Sequence, residues 1–233
     1  MGKIPAEKAS ETDNVINIFT GKSVAEHKTN TVIRLAPECD TMEILYSNDA
    51  NPNKLFSMKI LCWALMENGE IDAMVPWLDK LVSARQISDP LNGHWEGYYD
   101  NHNKRVFFDA PMHKAMELKA ALKQYPIEET ENQSVYQEIP DPIGTHAVLT
   151  ENNFKTLVLV NVTSWRLYNN GSLQAMVADE KKIDKTPILP GDPCLYPVQE
   201  HKDFHYFFHH VIANKIKQGD PDALAAFSDM LDP

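Results

Sequence analysis

Apolar residues in this chain gather in short runs bounded by turn residues, and one run is written twice together with its turn. Trp63-Ala64-Leu65-Met66-Glu67-Asn68-Gly69-Glu70-Ile71-Asp72-Ala73-Met74-Val75 recurs about a hundred residues later as Trp165-Arg166-Leu167-Tyr168-Asn169-Asn170-Gly171-Ser172-Leu173-Gln174-Ala175-Met176-Val177. The Trp, Leu, Asn, Gly, Ala, Met and Val positions are identical, and Ile71 is matched by Leu173. Asn-Gly between apolar segments is a strong hairpin signal, because a type I′ turn needs positive φ at both central positions. The second copy follows Leu157-Val158-Leu159-Val160-Asn161-Val162-Thr163, a β-branched run that reads as a strand. Two related hairpins are therefore predicted, over residues 55–77 and 157–179.

Other elements are read around this pair. Thr31 to Leu35 and Met42 to Tyr46 read as short strands, and His94 to Asp100 with Lys104 to Asp109 as a further hairpin about Asn101-His102-Asn103. Residues 77–87 read as a short helix. Pro111 opens a helix through Gln124 with Met112, Ala115, Met116, Lys119 and Leu122 along one face. Helices are also predicted from Pro197 to Gln218, ended by Gly219, and from Pro221 to Leu231. Residues 1–30 form a polar N-terminal arm with one anchoring segment, Val15-Ile16-Asn17-Ile18-Phe19. Residues 126–142 are acidic and proline-flanked, the composition of a linker. The expected architecture is α+β. A first unit spans 31–125 and a second 143–233, each an antiparallel hairpin or sheet followed by a helix, and the two pack as a pseudo-twofold pair.

Composition and charge then narrow the function. With 43% apolar residues among 233, the chain has material for a real core. Its 22 basic and 33 acidic residues leave a net charge of −11, which opposes binding to a phosphate backbone. No apolar run approaches the ~20 residues that span a bilayer, and the N-terminus lacks the apolar stretch of a signal peptide. The three cysteines, Cys39, Cys62 and Cys194, show no C-x-x-C spacing, which fits a reducing cytoplasm.

Two patterns carry candidate chemistry. His201, His205 and His209 recur every fourth residue, and on a helix such a stripe chelates a divalent metal such as zinc; His205 and His209 form the central pair. Further ligands would come from His94, His102, His113 or His146. The second pattern is His94-Trp95-Glu96-Gly97-Tyr98-Tyr99-Asp100, whose aromatics offer large, rigid contacts of the kind enriched at binding surfaces. Strict strand alternation sets Trp95, Gly97 and Tyr99 on one face and His94, Glu96 and Tyr98 on the other. Trp95, Glu96 and Tyr98 are the candidate binding residues. Thr20-Gly21-Lys22-Ser23 resembles the end of a phosphate-binding loop but lacks its upstream glycine, where Ile16 stands. Asp100 to Pro111 begins like a calcium loop, yet it has Arg105 at the glycine position and Pro111 at the glutamate position. No G-x-S-x-G or G-x-G-x-x-G occurs. The sequence thus points to a soluble, non-enzymatic protein of the cytoplasm that binds a protein or small molecule. The alternative is a zinc-type hydrolase built on the His-x3-His helix.

Overall fold

The computed structural model describes residues 31–38, 42–48, 53, 55–86, 93–124, 134–151, 156–179, 188–208 and 221. The expected N-terminal arm, and most of the two expected C-terminal helices, lie outside the described residues. What is described is 58% strand, in three antiparallel sheets.

The first half contains two four-stranded sheets. In one, β1 (Val32–Pro37), β4 (Cys62–Met66), β5 (Ile71–Trp77) and β6 (Lys80–Ser83) lie side by side in that order. In the other, β2 (Met42–Asn48) lies between β3 (Phe56–Lys59) and β7 (Gly93–Asp100), and β8 (Arg105–Phe107) forms the edge beyond β7. A 3-10 turn at Ala84–Gln86 follows β6, and α1 (Met112–Gln124) follows β8. The second half forms a six-stranded sheet from β9 (Val135–Pro140), β10 (His146–Glu151), β11 (Thr156–Tyr168), β12 (Leu173–Ala178), β13 (Leu195–Pro197) and β14 (Phe204–Phe208). Strand β11 is 13 residues long; its first part pairs with β10 and its second part with β9 and β12.

The strand registers of the two halves match position for position. Trp63 lies opposite Ala36 and Ala73, and Trp165 opposite Ile139 and Ala175. Ile44 lies opposite Met58 and Tyr98, and Ala147 opposite Val160 and Phe207. Val75 faces Val82 as Val177 faces Tyr196. The irregularities recur as well: β2 slips against β7 between Leu45 and Tyr46, and β10 against β14 between Val148 and Leu149. Both tryptophans are fully buried, and each indole N–H donates to a carboxylate just past the first strand, Trp63 to Glu38 and Trp165 to Asp141. A buried indole N–H without such a partner would be costly.

Both predicted hairpins form, but their turns are not type I′. In the first, Gly69 N–H donates to Met66 O (2.9 Å) and Met66 N–H to Glu70 O (2.8 Å), closing a three-residue loop; Gly171, Tyr168 and Ser172 repeat this in the second. Only the glycines take positive φ, +85° and +78°. Each asparagine instead accepts a hydrogen bond two residues on, Asn68 from Glu70 N–H and Asn170 from Ser172 N–H.

The α+β expectation is corrected. Among the described residues α1 is the one α-helix with defined bounds, and Pro197 to Phe208, where the second unit's helix was expected to begin, contain none. Within the segment 77–87 read as a helix, Lys80–Ser83 is strand β6 and Ala84–Gln86 a 3-10 turn. From Pro197 the chain runs through a 3-10 turn (Val198–Glu200) into β14. The physical reason lies in Phe204-His205-Tyr206-Phe207-Phe208, whose aromatic density favours a pleated, half-buried surface and overrides the helical spacing of its histidines. Residues 135–140, inside the segment read as a linker, form β9. One buried cluster draws Val32, Leu35, Leu61 and Met74 together with Ile139, Ala147, Trp165 and Phe207, so the two halves share a core. A second cluster, with Ile44, Trp63, Val75, Tyr98 and Leu118, belongs to the first half.

Candidate binding cleft

The hairpin β7–β8 and helix α1 bound a cleft of about 760 Å³, lined among others by Met42, Asp100, Phe107, Phe108, Asp109 and Met112. That size lies within the range of ligand sites. Each wall has a local cause. At the β7–β8 turn the Asp100 carboxylate accepts from His102 N–H (2.8 Å), Asn103 N–H (3.0 Å) and the Asn103 amide (2.7 Å). These bonds, those from Asn103 first, hold Asp100 below the usual carboxylate range and so ionised. Beyond the turn β8 is short and exposed along its length, and no described strand pairs with its outer side.

Helix α1 borders the cleft through Met112 and His113 and buries Lys114 and Leu118 rather than the predicted stripe. Lys114 and Leu118 are buried, whereas Met112 and Met116 are 79% and 66% exposed. The Lys114 stem packs inward and its ammonium donates to Pro37 O (2.9 Å) at the end of β1. A lysine can meet that carbonyl while burying its methylenes; a methionine cannot. Met112 and Met116 of the predicted stripe therefore face outward, and Phe107 and Phe108 are exposed as well, the latter to 62%.

Of the residues singled out in the sequence, Trp95 is half-buried and its ring meets Phe108 (6.2 Å between centroids), with the Arg85 guanidinium over it at 5.1 Å. Its Nε1 is buried with no hydrogen-bond partner among the described residues. Glu96 is exposed and accepts from Ser47 Oγ (2.6 Å). Tyr98 is corrected from contact residue to core residue, being fully buried. Gly97 accounts for this: it takes φ +129° at the slip between β2 and β7, and the extra residue reverses the alternation. Trp95 and Tyr98 consequently share a side, their rings 5.2 Å apart.

The Tyr98 hydroxyl donates to the buried Asp72, which also accepts from Ser83 Oγ and Ala73 N–H (2.8 Å), with Arg85 Nε at 3.8 Å. Burial, then the neighbouring Asp72 charge, pushes the Tyr98 hydroxyl well above its ordinary range. This carboxylate is surrounded by donors inside the core, and the arrangement is structural. Of the expected metal pair, only His205 lies among the described residues. It is on strand β14, and His209 lies outside them. Among the described residues no group of three His, Cys, Asp or Glu is placed to hold a metal.

Sequence reasoning missed Phe107, Phe108, Met112, Met116, Asp100 and Asp109 as site residues. The available signal was the Val106-Phe107-Phe108 run on a strand too short to bury it. A second overlooked signal was Pro37-Glu38 recurring as Pro140-Asp141, which marks the carboxylates that receive the two indoles. The cleft lining contains two carboxylates, Asp100 and Asp109, and two imidazoles, His102 and His113. No helix among the described residues is long and apolar enough to cross a membrane. No protein-family model, curated protein or solved structure matches this chain.

Proposed function

We propose that this protein is a non-enzymatic binding module that presents the β8–α1 face to a partner. The observation that carries the proposal is the exposure of Val106, Phe107, Phe108, Met112 and Met116 along one stretch of chain, with Met112 common to the cleft and to the outer surface of α1. Contiguous exposed apolar surface on a soluble fold is characteristic of interaction sites. Methionine adds adaptability to such surfaces. The matched registers further support the inference that the scaffold arose by internal duplication of one β unit, with its binding face elaborated after β7.

The test is site-specific photo-crosslinking in cells of origin with a benzoylphenylalanine at Met112. A discrete crosslinked species that disappears when Phe108→Asp is introduced supports the module. Crosslinking that is absent, or unchanged by Phe108→Asp in protein with wild-type circular dichroism, overturns it.

A further inference from the structure

Resting on the reading of the β8–α1 face as a partner surface, we infer that the cleft accepts a basic side chain, arginine or lysine, from a partner polypeptide. Its alkyl stem lies along Phe107, Phe108 and Met112, and its cationic head reaches Asp100 and Asp109. Charge complementarity selects this occupant. Among the described residues the lining carries the Asp100 and Asp109 carboxylates, the His102 and His113 imidazoles, and no lysine or arginine. Aromatic walls beside carboxylates suit a cation on an apolar stem, through ring-face attraction as well as ion pairing. Asp100 is already oriented by its turn, so little side-chain freedom remains to be lost when a cation arrives.

Arg85, the cation paired with Asp109, does not fill this role. It reaches Asp109 at 3.7 Å but does not line the cleft; its guanidinium donates to Phe108 O (2.7 Å) and lies over Trp95. An exposed pair at that distance is weak and leaves Asp109 available. A second copy of the chain is disfavoured as occupant because each copy carries −11, whereas the same charge draws a basic segment toward the surface.

Random dodecapeptides displayed on phage, selected on the full chain and counter-selected on Phe108→Ser, test the inference. The expected result is enrichment of arginine or lysine next to apolar residues. Synthetic copies of the selected peptides should lose roughly tenfold in affinity toward Asp100→Asn/Asp109→Asn and recover part of it on Asp109→Glu. Enrichment of apolar peptides without cations, bound equally by the double variant, overturns the cationic occupant and leaves the binding module standing. No enrichment over the naive library overturns both. Arginine methyl ester binding alone as tightly as the selected peptides would overturn the polypeptide source in favour of a small amine.

Discussion

At the scale of single residues, the fold depends on carboxylates taken out of water and met by donors. Asp72 illustrates the balance: with Tyr98, Ser83 and Arg85 around it, a buried charge is tolerated. Tyr98→Phe removes one donor and leaves the ring packing, so it should cost about 1–3 kcal/mol in denaturant melts. Because the Tyr98 hydroxyl titrates higher in the folded than in the unfolded chain, its contribution is complete below the unfolded pKa of ~10 and is lost as pH rises above it. Tyr206 and Cys62 shift in the same direction, through burial first in each case. Melts from pH 8 to 11 should therefore show falling stability, with a shallower fall in Tyr98→Phe. An identical slope in the variant would mean that Tyr98 is not protected as described.

At the scale of elements, the same hairpin is placed in two surroundings, and glycine reports the difference. A Cβ at Gly69 would meet nothing, whereas one at Gly171 would overlap the Thr31 methyl and press on Val32 O. Gly69→Ala should cost about 1 kcal/mol from its positive φ alone, and Gly171→Ala clearly more; equal thermal shifts would contradict the packing. Element by element, the hairpins were legible because Asn-Gly and β-branched runs act locally. Strand β14 was not, because Phe204 to Phe208 satisfies helical spacing as readily as alternation, and only pairing with β10 decides between them. Helix α1 was legible in its span but not in its orientation, since the hydrogen bond from Lys114 to Pro37 O is a tertiary fact. The cleft was hidden for the same reason, and the Gly97 bulge hid the burial of Tyr98.

At the scale of the whole molecule, the halves are joined by backbone as well as by core. The Gln137 side chain accepts from Leu35 N–H (2.9 Å) and donates to Leu35 O (2.7 Å), and Phe207 N–H donates to Leu78 O (2.8 Å). Residues 31–208 should consequently unfold in one transition, with calorimetric and van't Hoff enthalpies equal; two resolved transitions would show that the halves are independent. The matched registers carry a further consequence, for folding. A β4–β5 hairpin meets β1 with the same spacing that β11–β12 meets β9, so each can seat transiently in the other's place. Chains refolding together offer the same exchange between molecules, the characteristic trap of repetitive sequences. Features that oppose it include the Thr31–Gly171 fit, Gln174 in place of Asp72, and Arg166, paired with Glu138, in place of the buried Ala64. Rapid dilution from urea at rising protein concentration should therefore yield a growing fraction of exchanged dimer by size-exclusion chromatography, slow to revert. Fully monomeric recovery at every concentration would show that such differences suffice to keep each hairpin at home.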